Sequence, residues 1–212
     1  KKGFHEVVVH EYEFDQPLKW KQPSLVFVNS ESDTFHKAVS DEVIIRIFQM
    51  MNSMPEHTFQ VLTKRPERML KMLDKLELTD NIWIGVTCGH RSSLRRIDIL
   101  RQIPAKVRWL SVEPLLQDLS DEMNLEGINW VIIGGEQTKK FSDARPMAKE
   151  WARKFQVKCD SLDIPFYMKQ WGTVGPDGIR RHSYKNGNMI DGIKYEQFPR
   201  ALYEYYNIEN PN

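Results

Sequence analysis

Trp130-Val131-Ile132-Ile133-Gly134-Gly135-Glu136 opens on an unbroken apolar run and closes on two glycines and a carboxylate. A strand with one wet face alternates apolar and polar residues. An unbroken Trp/Val/Ile run is instead the pattern of a strand covered on both faces, as in a parallel sheet. Moving outward in both directions, similar short runs recur, and strands are predicted over Glu6 to Val9, Leu25 to Val28, Thr58 to Leu62, Ile82 to Val86, Val107 to Val112, Trp130 to Ile133 and Pro165 to Met168.

Helical patterns separate these runs. Ser40 can cap a helix whose apolar positions Val43, Ile44, Ile47, Phe48 and Met51 share one face, with Pro55 beyond its end. Pro66 suits the first turn of a second helix carrying Met69, Leu70, Met72 and Leu73. A third is expected from about Ser92 to Gln102. Pro146 opens a fourth, in which Trp151, Phe155 and Cys159 fall one turn apart, which makes Cys159 a core residue. Repeated strand–helix units imply right-handed parallel crossovers, and so a doubly wound sheet or a barrel. Neither GxGxxG nor GxxxxGK[ST] occurs, which removes the usual nucleotide-binding reasons for a doubly wound sheet. The expected fold is therefore α/β, a partial (β/α) TIM-like barrel of mostly parallel strands over residues 1–171. Residues 172–212 form a C-terminal extension packed on the same domain. That extension reads as a hairpin or irregular cover, with Asn186-Gly187 as a tight turn.

Composition narrows the class. The 212 residues are 41% hydrophobic and 28% charged, which suits a folded globular chain, and no apolar run is long enough to cross a bilayer. The formal charge of +1 excludes a basic nucleic-acid coat, so a charged ligand must be held by a local cluster. Cys88 and Cys159 have no metal-ligand spacing, and point to a reduced, cytoplasmic protein with no metal site of its own in this chain. The chain starts Lys1-Lys2-Gly3-Phe4 without a methionine, and a segment upstream is expected.

In a (β/α) barrel the chemistry sits at the C-terminal ends of the strands. Those positions read Asn29-Ser30-Glu31-Ser32-Asp33, Thr63-Lys64-Arg65, Thr87-Cys88-Gly89-His90, Glu113-Pro114, Gly134-Gly135-Glu136 and Lys169-Gln170-Trp171. Each strand end thus delivers polar groups to one rim. Cations at the start of a helix oppose its dipole, so Lys64-Arg65-Pro66 calls for an anion nearby, from a ligand or from the protein. Asp33 and Glu31 can equally be helix caps or solvated turns. Gly134-Gly135 allows either a strained turn or close approach of backbone to a ligand. His36 and His90 read as structural or exposed rather than as ligands, and the catalytic residues stay unassigned.

The strings Phe27-Val28-Asn29-Ser30-Glu31-Ser32-Asp33-Thr34-Phe35-His36, Phe59-Gln60-Val61-Leu62-Thr63-Lys64-Arg65-Pro66, Trp83-Ile84-Gly85-Val86-Thr87, Ser111-Val112-Glu113-Pro114-Leu115-Leu116, Trp130 to Glu136, Ala144-Arg145-Pro146 and Lys169-Gln170-Trp171-Gly172 follow in order. Together they resemble a phage-associated, radical-SAM-like family of unknown function with a three-cysteine motif near the N-terminus. The resemblance implies a partial barrel of the radical SAM type that binds a [4Fe-4S] cluster and S-adenosylmethionine and abstracts hydrogen from an unknown substrate. This chain departs from the family where it matters most, because the cluster cysteines and the first strand would lie upstream of Lys1. Glu31 and Thr34 replace residues that are usually apolar, and the stretch from Glu136 to Ala144 is longer and more basic. By the same resemblance Ser30, Ser32, Asp33, Thr87, Glu113, Gly134, Gly135 and Glu136 would form the cofactor pocket. Lys64, Arg65, Arg145, Lys169 and Gln170 would bind substrate or an anion.

Two functions follow from this. One is the radical-SAM-like enzyme core, with nucleic acid as a candidate substrate given Lys64, Arg65, Lys139, Lys140, Arg145 and Lys169. The alternative is a non-catalytic module of a phage or mobile-element system that binds nucleic acid or a partner protein. There, exposed aromatics such as Trp171, Tyr184 and Tyr205 would stack on bases unless they merely pack the C-terminal cover. A metal hydrolase using Asp33, His36, His90, Glu113 and Glu136 is the poorer reading, for want of paired ligand spacing.

Overall fold

A computed structural model describes residues 7–206 and 209. Six strands, β1 (Leu25–Val28), β2 (Thr58–Thr63), β3 (Ile82–Thr87), β4 (Arg108–Val112), β5 (Trp130–Gly134) and β6 (Phe166–Gln170), pair in parallel in the order of the chain. A doubly wound sheet would reverse direction partway; this one never does, and it curls into a half-barrel. The principal helices between strands are α1 (Asp41–Asn52), α2 (Pro66–Lys71), α3 (Arg95–Leu100) and α4 (Lys149–Ser161). Ser40 caps α1 as its position suggests, its hydroxyl accepting from the Val43 amide at 3.4 Å.

The period of two along each strand sorts the side chains onto two faces. Ile84, Val86, Leu110, Val112, Val131 and Ile133 pack outward against Ile44 and Phe48 of α1, Met69 of α2, Leu100 of α3 and Phe155 of α4. Trp83, Trp109 and Trp130 point to the inside of the curl, joined there by Leu25, Leu62, Ile132 and Tyr167. Gly85 makes this inner layer possible. The Trp109 indole lies directly over it, and a Cβ at Gly85 would stand 2.3 Å from the Trp109 ring. The Trp83 and Trp130 rings meet edge to face at 6.3 Å, and Trp130 touches Trp109 at 5.8 Å.

The end of the chain closes the lower mouth of the half-barrel. Helix α6 (Arg200–Tyr206) brings Leu202 and Tyr206 under the indoles. The Tyr206 hydroxyl donates to the carbonyl of Ser24, just before β1, and accepts from the Thr58 amide that opens β2. The Trp130 indole N–H donates to the carbonyl of Gln197, while the Gln197 side chain accepts from the Phe166 amide. With that mouth plugged, the C-terminal strand ends form the remaining open rim.

Three expectations are corrected. Val7 to Val9 form no strand and are 38–41% exposed, while Glu6 lies outside the described residues. The segment that follows attaches by side chains instead: Pro17 is buried, Arg46 bonds Glu11 and covers the Phe14 ring, and Trp20 meets His57 edge-on. The tight turn of the cover falls at Asp191-Gly192, not Asn186-Gly187. Asp191 and Gly192 both adopt positive φ between β7 (Met189–Ile190) and β8 (Ile193–Lys194), as a two-residue hairpin turn requires. Gly187, also at positive φ, ends the one-turn helix α5 (Ser183–Asn186). The fourth helix begins at Lys149 rather than Pro146, after an extended approach.

Gly85→Ala should lower stability by about 1–3 kcal/mol through overpacking against Trp109, read as a shifted midpoint of urea unfolding. An unshifted midpoint would show that the indole has room to move.

Candidate functional site

The rim is laid out by the strand ends, and most of its charged groups are already engaged. Asp33 follows β1. One carboxylate oxygen accepts from the Thr63 hydroxyl at 2.8 Å and the Phe35 amide at 3.0 Å; the other accepts from the Lys64 amide at 3.0 Å and the Arg65 guanidinium at 2.7 Å. The anion demanded by Lys64-Arg65 at the start of α2 is therefore the protein's own. Arg68, which the sequence did not single out, holds the same β1–α1 loop from the other side, donating to the carbonyls of His36 and Val39 and to Asp41. Asn29 makes the sharp exit from β1 at positive φ, and its side chain donates to Thr34 at 2.7 Å. Ser30 and Ser32 lie exposed on this loop, and Lys64 is exposed beside it.

A second group forms where β4, β5 and β6 end. Along β4 the inward positions are Trp109, Ser111 and then Glu113, whose carboxylate accepts from Lys169 Nζ and from the Gln170 amide, both at 2.8 Å. The register of β6 against β5 shifts after Ile133, which sets Gly134 opposite Gln170. A Cβ at Gly134 would lie 2.8 Å from the Glu113 carboxylate, and one at Gly135 would lie 1.9 Å from the Trp171 carbonyl. The close approach that this glycine pair permits is to the protein itself. Gly89 has a similar role that the sequence reading missed: a Cβ there would sit 2.1 Å from the Pro114 carbonyl, so the β3 and β4 ends meet backbone to backbone.

The third group is Glu136 with Arg145, joined by two side-chain bonds and by the Arg145 amide at 2.8 Å. The Arg145 guanidinium holds the Glu136 carboxyl below its ordinary range, against an opposing effect of burial. The stabilisation from this pair is thus present above the ordinary glutamate value and is lost only as pH falls through the lowered one. Thr87 is 9% exposed at the end of β3, where its carbonyl accepts from Arg96 at 2.7 Å.

Glu113, Pro114, Gly135, Glu136, Gln137 and Lys169 line an open depression of about 420 Å³. Beside it the Gln170 side-chain nitrogen is satisfied by Glu113 and the Gly135 carbonyl, but its oxygen is buried without a partner. A buried acceptor of this kind is an unmet demand for a donor. Below the rim, Phe27 lies edge-on to the buried Trp109 at 6.2 Å and stays 43% exposed, so its ring offers apolar surface beneath the polar edge.

The structure brings Glu113, Gly134, Gly135, Glu136, Arg145, Lys169 and Gln170 together. It places Asp33, Lys64 and Arg65 in a separate cluster at the other end of the rim, with the exposed serines. His36 and His90 make local contacts, each accepting from an amide two residues on. Among the described residues no group of three His, Cys, Asp or Glu is placed to hold a metal ion, and no helix is long and apolar enough to cross a membrane.

Fold and rim together define the chain as a curled parallel α/β half-barrel with a polar, ion-paired rim at its strand C-termini. Residues 2–199 match the model of a family described as a protein of unknown function, DUF5131, and the chain belongs to that family. No curated protein matches it.

Asp33→Ala should cost about 1–3 kcal/mol, because the buried Thr63 hydroxyl and neighbouring amides lose their acceptor, and Asp33→Asn should cost less. Urea unfolding of the two variants reads this ordering. Cys88 and Cys159 are both fully buried, and burial pushes the Cys159 thiol up to about 12. Ellman's reagent should therefore label neither cysteine in the native protein and both in denaturant.

Proposed function

We propose that this chain is the core of a radical-SAM-like enzyme that binds S-adenosylmethionine at the strand C-termini of the half-barrel. The buried, unpartnered oxygen of Gln170 is the observation that carries the reading. With the Glu113 carboxylate it would accept from the ammonium of the methionine moiety, and Lys169 would donate to the carboxylate. The exposed ring of Phe27 would receive the adenine. A zwitterion asks for both signs side by side, and the Glu113–Lys169 pair at 2.8 Å offers them. When bound, S-adenosylmethionine would supply a reactive sulfonium-bound carbon, while Glu113, Lys169 and Gln170 would hold and orient its amino-acid end. Asp33, given to the same pocket by the resemblance, acts in this reading as the brace of the β1–α1 loop.

The iron–sulfur cluster that the resemblance implies does not fit the described residues. Cys88 and Cys159 are sealed in the layer between sheet and helices, and three thiolates are needed. Its ligands would have to come from elsewhere, and no chemical step is derived through it.

One observation favours the non-catalytic alternative: Asp33, Glu113 and Glu136 are each already neutralised by a cation. Calorimetric titration separates the two readings. S-adenosylmethionine should bind, and Gln170→Ala and Lys169→Ala should each weaken it about ten-fold or more while leaving 5′-methylthioadenosine, which lacks the amino-acid end, unaffected. Absence of binding at millimolar ligand, or equal effects on both ligands, would overturn the enzyme reading in favour of the binding module.

A further inference from the structure

The loop after β5 and the segment after β6 pack against each other beside the rim. The Thr173 amide donates to the Glu136 carbonyl at 2.8 Å, the Thr138 amide to the Thr173 hydroxyl at 3.0 Å, and Arg180 to the Ala144 carbonyl at 2.8 Å. Three rings climb out of this junction. Phe141 meets His182 edge to face at 5.0 Å, and His182 stacks on Tyr184 at 5.6 Å with only 18° between the ring planes. Tyr184 is 76% exposed, so its far face is open to solvent. An exposed tyrosine held nearly parallel on a second ring is a poor way to bury apolar area and a good way to offer a fixed flat surface.

The charge around these rings is one-sided. Lys139, Lys140, Arg145, Arg180, Arg181 and Lys185 lie on the two segments; Lys140, Arg145 and Arg181 pair with Asp143, Glu136 and Asp177, which leaves Lys139, Arg180 and Lys185 unopposed among the described residues. The formal charge of the whole chain is only +1, so the rest of the molecule is net negative. The Arg180 guanidinium is fixed by the carbonyls of Ala144 and Phe141, which orient it without cancelling its charge. Among the described residues Lys139 and Lys185 have no carboxylate within ion-pair distance. Trp171 and Tyr205, the other aromatics singled out in the sequence, do not join this surface. Trp171 is buried under the cover, and Tyr205 sits on α6 at the plugged end.

We propose that this ledge binds single-stranded nucleic acid, with phosphates on the lysines and arginines and an unpaired base on the open face of Tyr184. A duplex hides the faces of its bases in its own stack, whereas a single strand can place one on a ring. The ledge shares Glu136 with the depression lined by Glu113 and Lys169, so a strand lying on it runs beside the rim. That last point, nucleic acid as substrate class, rests on the enzyme reading above; binding on the ledge does not.

The test is fluorescence anisotropy of a short labelled oligothymidylate with the whole chain, repeated over a range of salt and with a duplex and polyglutamate as competitors. The single strand should bind tighter than the duplex, with log affinity falling against log salt by about 0.7 for each phosphate engaged. Tyr184→Ala should weaken binding about five-fold to a hundred-fold while Tyr184→Phe keeps it. A Lys139→Glu/Lys140→Glu double variant should weaken binding and flatten the salt slope. These side chains are exposed, and circular dichroism confirms that the variants stay folded. No binding at low salt, wild-type affinity in Tyr184→Ala, or equal competition by duplex or polyglutamate would each overturn the proposal. Calorimetry with S-adenosylmethionine on the same variants reads the rim independently. Ledge substitutions that abolish oligonucleotide binding should leave cofactor binding intact.

Discussion

Trp109 lies across Gly85, and the interior of the half-barrel is arranged around that contact. A parallel sheet must bury both faces, and helices α1 to α4 can cover only the outer one. An open curl of six strands has no opposite wall to fill its inside. The large indoles of Trp83, Trp109 and Trp130 take that place, provided one strand carries no side chain beneath Trp109. Glycine at position 85 meets this demand, and the tail residues Phe198, Leu202 and Tyr206 complete the layer from below. With an apolar floor in position, the polar residues one step further along each strand are left at the other mouth.

That mouth is held together by opposite charges on different elements. Asp33 joins the β1 loop to α2, Glu113 joins β4 to β6, and Glu136 joins the end of β5 to the approach to α4. Each pair is partly open to water, so its direct contribution to stability is small. Its larger effect is on position. A cation held by a carboxylate beside it can be exchanged to a ligand anion without first being desolvated alone, and the carboxylate then becomes free for a ligand cation. Such paired groups suit ligands that carry both signs. The cations of the ledge, in contrast, outnumber their carboxylates and suit a ligand that carries one.

Much of the architecture was legible because it rests on local pattern. The apolar run at Trp130 to Ile133, the cap at Ser40 and the proline at the head of α2 each state their structure within a few residues, whereas the right-handed crossover left the strand order open between a doubly wound sheet and a barrel. The rim positions were legible for the same reason, since a strand end is visible wherever an apolar run stops. What the rim groups contact was not, because the partners are far apart in the chain: Asp33 meets Arg65, and Glu113 meets Lys169, through the sheet and not through sequence. Gly134-Gly135 pointed to close approach but not to what approaches. The valines at positions 7 to 9 carry the composition of a strand and lack a ladder to join, which no periodicity can show. Tyr184 resembles Trp171 as a lone aromatic in the tail, and only packing separates the buried one from the exposed one.

The bonds from Tyr206 to Ser24 and Thr58 join positions 182 and 148 residues apart in the chain. During synthesis the six strands and their helices emerge from the ribosome before the residues that seal the lower mouth, so the indole layer is made early and shielded late. For that interval the nascent half-barrel presents the indoles of Trp83 and Trp130 to its surroundings, a surface that chaperones recognise and that favours aggregation. The order of translation thus leaves this inner face open until Phe198, Leu202 and Tyr206 have been made.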